Sequence, residues 1–271
     1  MKRLTLSLAV VLLGLAVWSS RSLTTTPPDT VHLEDLTWVE VRELIRRGKT
    51  VAIVPTAGLE QNGPHMVLGK HGYVVRHTAE RIAKALGNAL VAPVLNYVPE
   101  GPVDPPEGHM RFAGTISLPE PVFAAVLEAA ARSLRAHGFT LICFVGDSGG
   151  NQAVQAEVAA RLNAEWAGSG AAVLHVGDYY ARNGQVDWLL AQGETHAAIG
   201  THAGIRDTSE LMAAFPDGVR ADMAAPDGGL YLERTGVNGD PTRASAAIGR
   251  KMLELKVAAA FAQIRAALAT E

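Results

Sequence analysis

The chain has 271 residues, 48% of them hydrophobic and 19% charged, and carries a formal net charge of -3 at pH 7. That composition can fill a substantial core, which excludes a disordered chain, and the absence of a basic run or stripe argues against nucleic acid as a partner. A single cysteine, Cys143, excludes an internal disulfide.

The first predicted element is a targeting segment. Lys2 and Arg3 precede the apolar stretch Leu4 to Trp18, which is short for a bilayer span, and Ser19, Ser20 and Ser22 supply small residues for cleavage. Residues 1–22 are therefore expected to act as a signal peptide and to send the protein to the periplasm or outside the cell. An uncleaved N-terminal membrane anchor is the alternative. Residues 23–34, with TTTPPD at Thr24 to Asp29, read as a linker, and 35–271 as one folded domain.

Within that domain Leu36 to Arg47 places apolar residues at helical spacing and stops at Gly48. Val51 to Pro55 has the length and β-branched content of a buried strand. A helix is expected over Tyr73 to Leu86, closed by Gly87, and a strand over Ala89 to Pro93. The Pro- and Gly-rich stretch Asn96 to Gly114 carries Asp104, Glu107, His109 and Arg111, and so long a loop inside a compact domain is usually functional. Pro119 opens a helix running to about His137, Thr140 to Val145 is a strand, Gln152 to Trp166 a helix, and Ala171 to Val176 a strand. A mixed segment with His196, His202 and Asp207 follows, and Ala244 to Leu268 closes the chain as an alanine-rich helix. Strands alternating with helices predict a layered α/β domain with a mainly parallel sheet.

Two loops at strand ends carry the chemistry. After the first strand, Glu60, Gln61, Asn62, His65, Lys70 and His71 fall close together at the edge where parallel sheets place their ligand crevice. After the third, Gly146-Asp147-Ser148-Gly149-Gly150 satisfies G-x-S-x-G with a strand before it and a helix after it. Ser148 is then a candidate nucleophile, with a base drawn from His71, His109, His196 or His202 and an acid such as Asp178 or Asp207. A glycine-rich turn that merely starts a helix explains the same letters.

Five blocks taken together are more specific. EQNGPHMVLGKH at Glu60 to His71, GHMRFAGTISL at Gly108 to Leu118, HGFTLICFVGDSGGN at His137 to Asn151, HAGIRDTS at His202 to Ser209 and GVNGDP at Gly236 to Pro241 resemble the creatininase family of amidohydrolases in order and spacing. The resemblance implies a three-layer α/β/α domain, homo-oligomeric assembly, a small-molecule substrate, and hydrolysis of an amide or cyclic amide (a C–N bond other than a peptide) at a pair of divalent metals. The family pattern reads E-Q-H-G-P-H-L-P with a following Asp, then N-G-H-G-G-N, then H-A-G-E. Here Glu60 is kept, but Asn62 replaces the first His, His71 the Asp and Ser148 the second His. The late Glu is absent, with Gly150 or Ile205 in its place.

Those departures predict a remodelled site with at most one zinc or manganese ion per chain, held by Glu60, His71 and Asp147. Catalytic roles are expected for His202, Ser148 and Asp147, and substrate contacts for His65, His109, Glu107 and Asn151. Two rival readings remain: a non-catalytic binding protein on the same fold, and a serine hydrolase using Ser148.

Overall fold

Four apolar runs set the architecture. In the computed structural model, which describes residues 27–226 and 234–269, they form strands β1 (Val51–Thr56), β2 (Ala89–Val91), β3 (Leu141–Gly146) and β4 (Ala172–His175). Every pairing is parallel and the sheet order is β2-β1-β3-β4. Parallel strands need helical crossovers that cover both faces, so alternate residues of one strand enter different cores. Ile53, Cys143 and Val145 pack against α2 (Lys70–Leu86) and the terminal helix α9 (Ala246–Leu268). Ala52, Val54, Ile142 and Phe144 face α1 (Trp38–Arg46), α3 (Glu120–Ala136) and α4 (Gln152–Glu165). The expected three-layer α/β/α fold is the one observed, with Cys143 buried in its strand.

β1 and β3 run in register from Val51 opposite Leu141 to Thr56 opposite Gly146. The loops that follow them therefore leave the sheet side by side, and this carries Glu60 and Asp147 to one edge.

Three differences from the sequence expectation follow from tertiary contacts. Helix α2 begins at Lys70, three residues before the expected start, and Lys70 and His71 of its first turn are buried. Among the described residues the mixed segment contains four further α-helices: α5 (Asp178–Ala181), α6 (Gln185–Ala191), α7 (His196–Ile199) and α8 (Ile205–Ala214). The end of the expected linker is part of the fold, because Val31 and His32 are buried and the Val31 carbonyl accepts from Val91 N at 2.7 Å. The expected signal segment lies outside the described residues. Among those described, no helix is long and apolar enough to cross a membrane.

Candidate active site

A cleft of about 340 Å³ opens at the carboxyl edge of β1 and β3. Its floor is a chain of buried ionic groups. His71, in the first turn of α2, lies between two carboxylates: Nε2 is 2.6 Å from Glu60 Oε1 and Nδ1 is 2.8 Å from Asp147 Oδ2. Burial and the neighbouring Lys70 push the His71 pKa down, but Glu60 and Asp147 outweigh them and raise it. The ring is then an imidazolium donating from both nitrogens.

The carboxylates are matched in turn. Lys256, from the middle of α9, donates to Asp147 Oδ1 at 2.6 Å and to Glu210 Oε2 at 3.0 Å, and Tyr179 O–H donates to the same Asp147 oxygen at 2.8 Å. Lys70 donates to Asp207 Oδ1 at 3.1 Å. Burial alone would favour neutral Asp147, but Lys256 and His71 hold its pKa far below the usual range. Glu60 follows the same pattern, burial opposed by His71 and then His202. Glu100 goes the other way: burial first, and then the Glu60 carboxylate against it, push its pKa up to about 10. It is a neutral acid at physiological pH.

On the opposite side of Glu60 stand two histidines. His109 Nε2 is 3.6 Å from Glu60 Oε2, and His202 Nδ1 is 3.9 Å from Glu60 Oε1. Gln61 positions both rings: its Nε2 is 2.8 Å from His109 Nδ1, and its backbone oxygen lies 2.9 Å from His202 Nε2. Ala203, at a left-handed φ of 55°, turns the chain immediately after His202, and Asp207 Oδ2 accepts from its N–H at 2.7 Å. One ligand atom each from Glu60, His109 and His202 lie within 4.8 Å of one another.

The expected site residues divide accordingly. Glu60, His71, Asp147, Ser148, His109 and His202 all line the cleft. Three others do not. His65 is fully buried with Nε2 2.8 Å from Thr208 Oγ1, so it joins the Glu60 loop to α8. Asn151 is fully buried, its Nδ2 donating at 2.8 Å to Thr56 Oγ1 and to Ala57 O, so it ties the β3 loop to the β1 loop. Glu107 is exposed and only precedes the short turn Gly108–Arg111 that carries His109. The metal group also differs from the expected Glu60, His71 and Asp147. Both His71 nitrogens and both Asp147 oxygens are engaged in hydrogen bonds, while the converging ligand atoms come from Glu60, His109 and His202.

Sequence reasoning missed Glu100, Lys256 and Glu210 and gave Lys70 no role. A signal for Lys256 existed. It lies on the buried stripe Gly249, Met252, Leu253, Lys256, Ala260 and Ile264 of α9, where an ammonium demands a buried partner.

The family comparison decides what this cleft descends from. The family model for creatininase, described as creatinine amidohydrolase, matches residues 34–264. The chain belongs to the creatininase family. It is 29% identical over 229 residues to the mycofactocin precursor peptide peptidase of Mycobacterium tuberculosis, covering 76% of this chain and 80% of that protein. It is 27% identical over 197 residues to the creatinine amidohydrolase of Pseudomonas putida, covering 71% and 75%. A creatininase crystal structure superposes with a TM-score of 0.73 at 23% identity over 88% of this chain and 97% of that one. A manganese creatininase superposes with 0.72 at 24% over 87% and 98%.

A two-ion centre of the family pattern does not fit these residues. Asn62, at the first histidine position, turns its Nδ2 back to Glu60 O at 2.9 Å, Ser148 offers a neutral hydroxyl, and Lys70, His71 and Lys256 already supply buried positive charge beside the carboxylates. One ion fits. Glu60 is ionised, and burial holds the His202 pKa down at about 4, so its ring is neutral at physiological pH. One carboxylate and two imidazoles form a common donor set for a divalent ion.

His65 gives the fold an acid sensitivity. Burial, opposed by Asp207, holds its pKa at about 4, whereas the free side chain titrates near 6.5. As pH falls from 6.5 to 4 the unfolded chain takes up a proton that the folded one does not, so stability falls with it. His202 acts in the same sense and Glu100 opposes them. In thermal melts across this window the His65→Asn variant is expected to show a flatter dependence of Tm on pH than the native protein. Parallel profiles would remove His65 from the account.

Proposed function

We propose that the protein is a hydrolase of the C–N bond of a small amide or cyclic amide, using a single divalent ion held by Glu60, His109 and His202. The convergence of those three groups on the floor of a polar cleft carries the reading. Two relatives support the reaction class by their names, one an amidohydrolase and the other a peptidase. A divalent ion at such a site supplies a Lewis acid for the carbonyl and lowers the pKa of water.

The chain's own residues supply the rest. His71 keeps Glu60 ionised and oriented. Glu100 retains its proton at neutral pH beside Glu60, where a leaving amine needs one. We assign the stabilisation of a developing oxyanion to the backbone N–H groups of Gly149 and Gly150, which are exposed on the cleft at the turn into α4. Ser148 lies against Glu100, and His71 has both ring nitrogens engaged by Glu60 and Asp147, so it is not available as a base for the hydroxyl. That arrangement favours the metal reading over the serine one. We propose that this activity operates outside the cytoplasm, a reading that the basic start and the apolar Leu4 to Trp18 support.

One preparation tests the reading. Full-length protein purified without chelator is expected to contain about one zinc or manganese ion per chain. It should hydrolyse at least one member of a panel of lactams, creatinine and short peptides, and leave Ser148 unlabelled by a fluorophosphonate probe. Ion binding without hydrolysis would leave a binding protein; label at Ser148 in metal-free protein would leave a serine hydrolase.

A further inference from the structure

Arg206 faces the same acidic cluster, since against burial, which lowers its pKa, Asp207 and then Glu210 raise it, but it is not hydrogen-bonded to that cluster. His71, Lys70 and Lys256 are each hydrogen-bonded to a buried carboxylate at 3.1 Å or less. Arg206, in the first turn of α8, approaches only Asp207, Nε to Oδ1 at 3.8 Å, and that is beyond hydrogen-bond length. Asp207 is already served, Oδ1 by Lys70 and Oδ2 by the Ala203 N–H. Among the described residues nothing accepts a hydrogen bond from the Arg206 guanidinium, although its side chain is only 22% exposed and lines the cleft. Glu120, another acidic group on the cleft, is exposed and forms no ion pair with it among the described residues.

A guanidinium presents a planar fork of N–H donors that matches a carboxylate edge to edge, and in a partly desolvated wall such a pair is strong. The Arg206 donors face the cleft, where a bound anion exchanges water for a charge-assisted pair. Arg206 lines the same cleft as Thr201, Tyr180 and His202, so an anion bound to it occupies the cleft that also holds the Glu60, His109 and His202 group.

We infer that Arg206 forms a carboxylate-binding subsite, and that the substrate of the cleft is an amide bearing a free carboxylate, such as an N-acyl amino acid or a short peptide with its carboxyl end seated on Arg206. The assignment of the scissile amide rests on the hydrolase reading above; the carboxylate subsite itself does not.

Calorimetric titration of the full-length protein separates the two. N-acetylglycine is expected to bind roughly tenfold or more tighter than N-acetylglycinamide, its neutral counterpart, as a charge-assisted pair requires. The preference should persist after the protein is stripped with chelator, since it belongs to Arg206 and not to the ion. It should vanish in Arg206→Gln and survive in part in Arg206→Lys. Equal affinity for the two compounds, no binding of either, or a preference lost on stripping the metal would each overturn the subsite, and these readings need no variant to fold. A preference retained in folded Arg206→Gln would overturn it too. Tighter, Arg206-dependent binding of inorganic phosphate than of N-acetylglycine would assign the subsite to a phosphate and overturn the carboxylate. Carboxylate discrimination in a protein that hydrolyses no amide would leave the subsite standing and remove the hydrolase reading.

Discussion

Glu60→Ala is expected to abolish binding of the divalent ion and to lower amide hydrolysis by on the order of a thousandfold, the scale of several kcal/mol of lost electrostatic stabilisation. Glu60 contributes the only carboxylate of the candidate ligand group. Without it, the two imidazoles of His109 and His202 are left, too few ligands for a tight site. The same side chain accepts from His71 Nε2 at 2.6 Å, so its loss also leaves a buried imidazolium with one carboxylate instead of two. Glu60→Gln separates these roles. The amide oxygen still accepts from His71 and keeps the loop in place, but the negative charge is gone. Metal content by mass spectrometry should fall in both variants, while the melting temperature should fall further in Glu60→Ala. Unchanged metal content in either variant would sink the proposed ligand set.

Much of the fold is legible from residue pattern because its strands are buried on both faces. Val51 to Thr56 and Leu141 to Gly146 are fully buried along their whole length, and each reads as an unbroken apolar run bounded by punctuating residues. The segment after β4 is not legible in the same way. Helices α5, α6 and α7 are four to seven residues long, too short to display a period, and are held by tertiary contact such as Leu189 and Ile199 packing against Met252 of α9.

The site divides along a similar line. Glu60, His71 and Asp147 could be picked out because they lie where strands end, and their convergence follows from the register of β1 and β3. Glu100, Glu210 and Lys256 could not be joined to them, because the contact between Lys256 and Asp147 spans 109 positions. Local pattern also misleads at Asn151 and His65. Both fall in family motifs yet face inward, where they tie one loop to another, because adjoining loops with buried backbone need side chains to satisfy their polar groups.

The second large effect concerns Lys256. Its ammonium lies between Asp147 and Glu210, both buried, and the two carboxylates together raise its pKa well above the ordinary lysine value against the burial that lowers it. Lys256→Met keeps the length and apolar stem of the side chain but leaves two buried carboxylates without their shared counter-ion. Breaking a buried pair from one side typically costs about 3–5 kcal/mol. For a domain of this size that corresponds to a loss of on the order of 10 °C in melting temperature. Adding Glu210→Gln should restore part of it, because the double variant removes one orphaned charge along with the lysine. On the one-ion reading proposed above, the ammonium occupies carboxylates that a second cation would otherwise use. Millimolar zinc or manganese should therefore raise the melting temperature of Lys256→Met by more than it raises that of the native protein. An equal rise in the two would show that Lys256 is a structural counter-ion with no bearing on the metal count. A smaller rise in the variant would mean that Asp147 and Glu210, freed of their lysine, take up protons in preference to a cation.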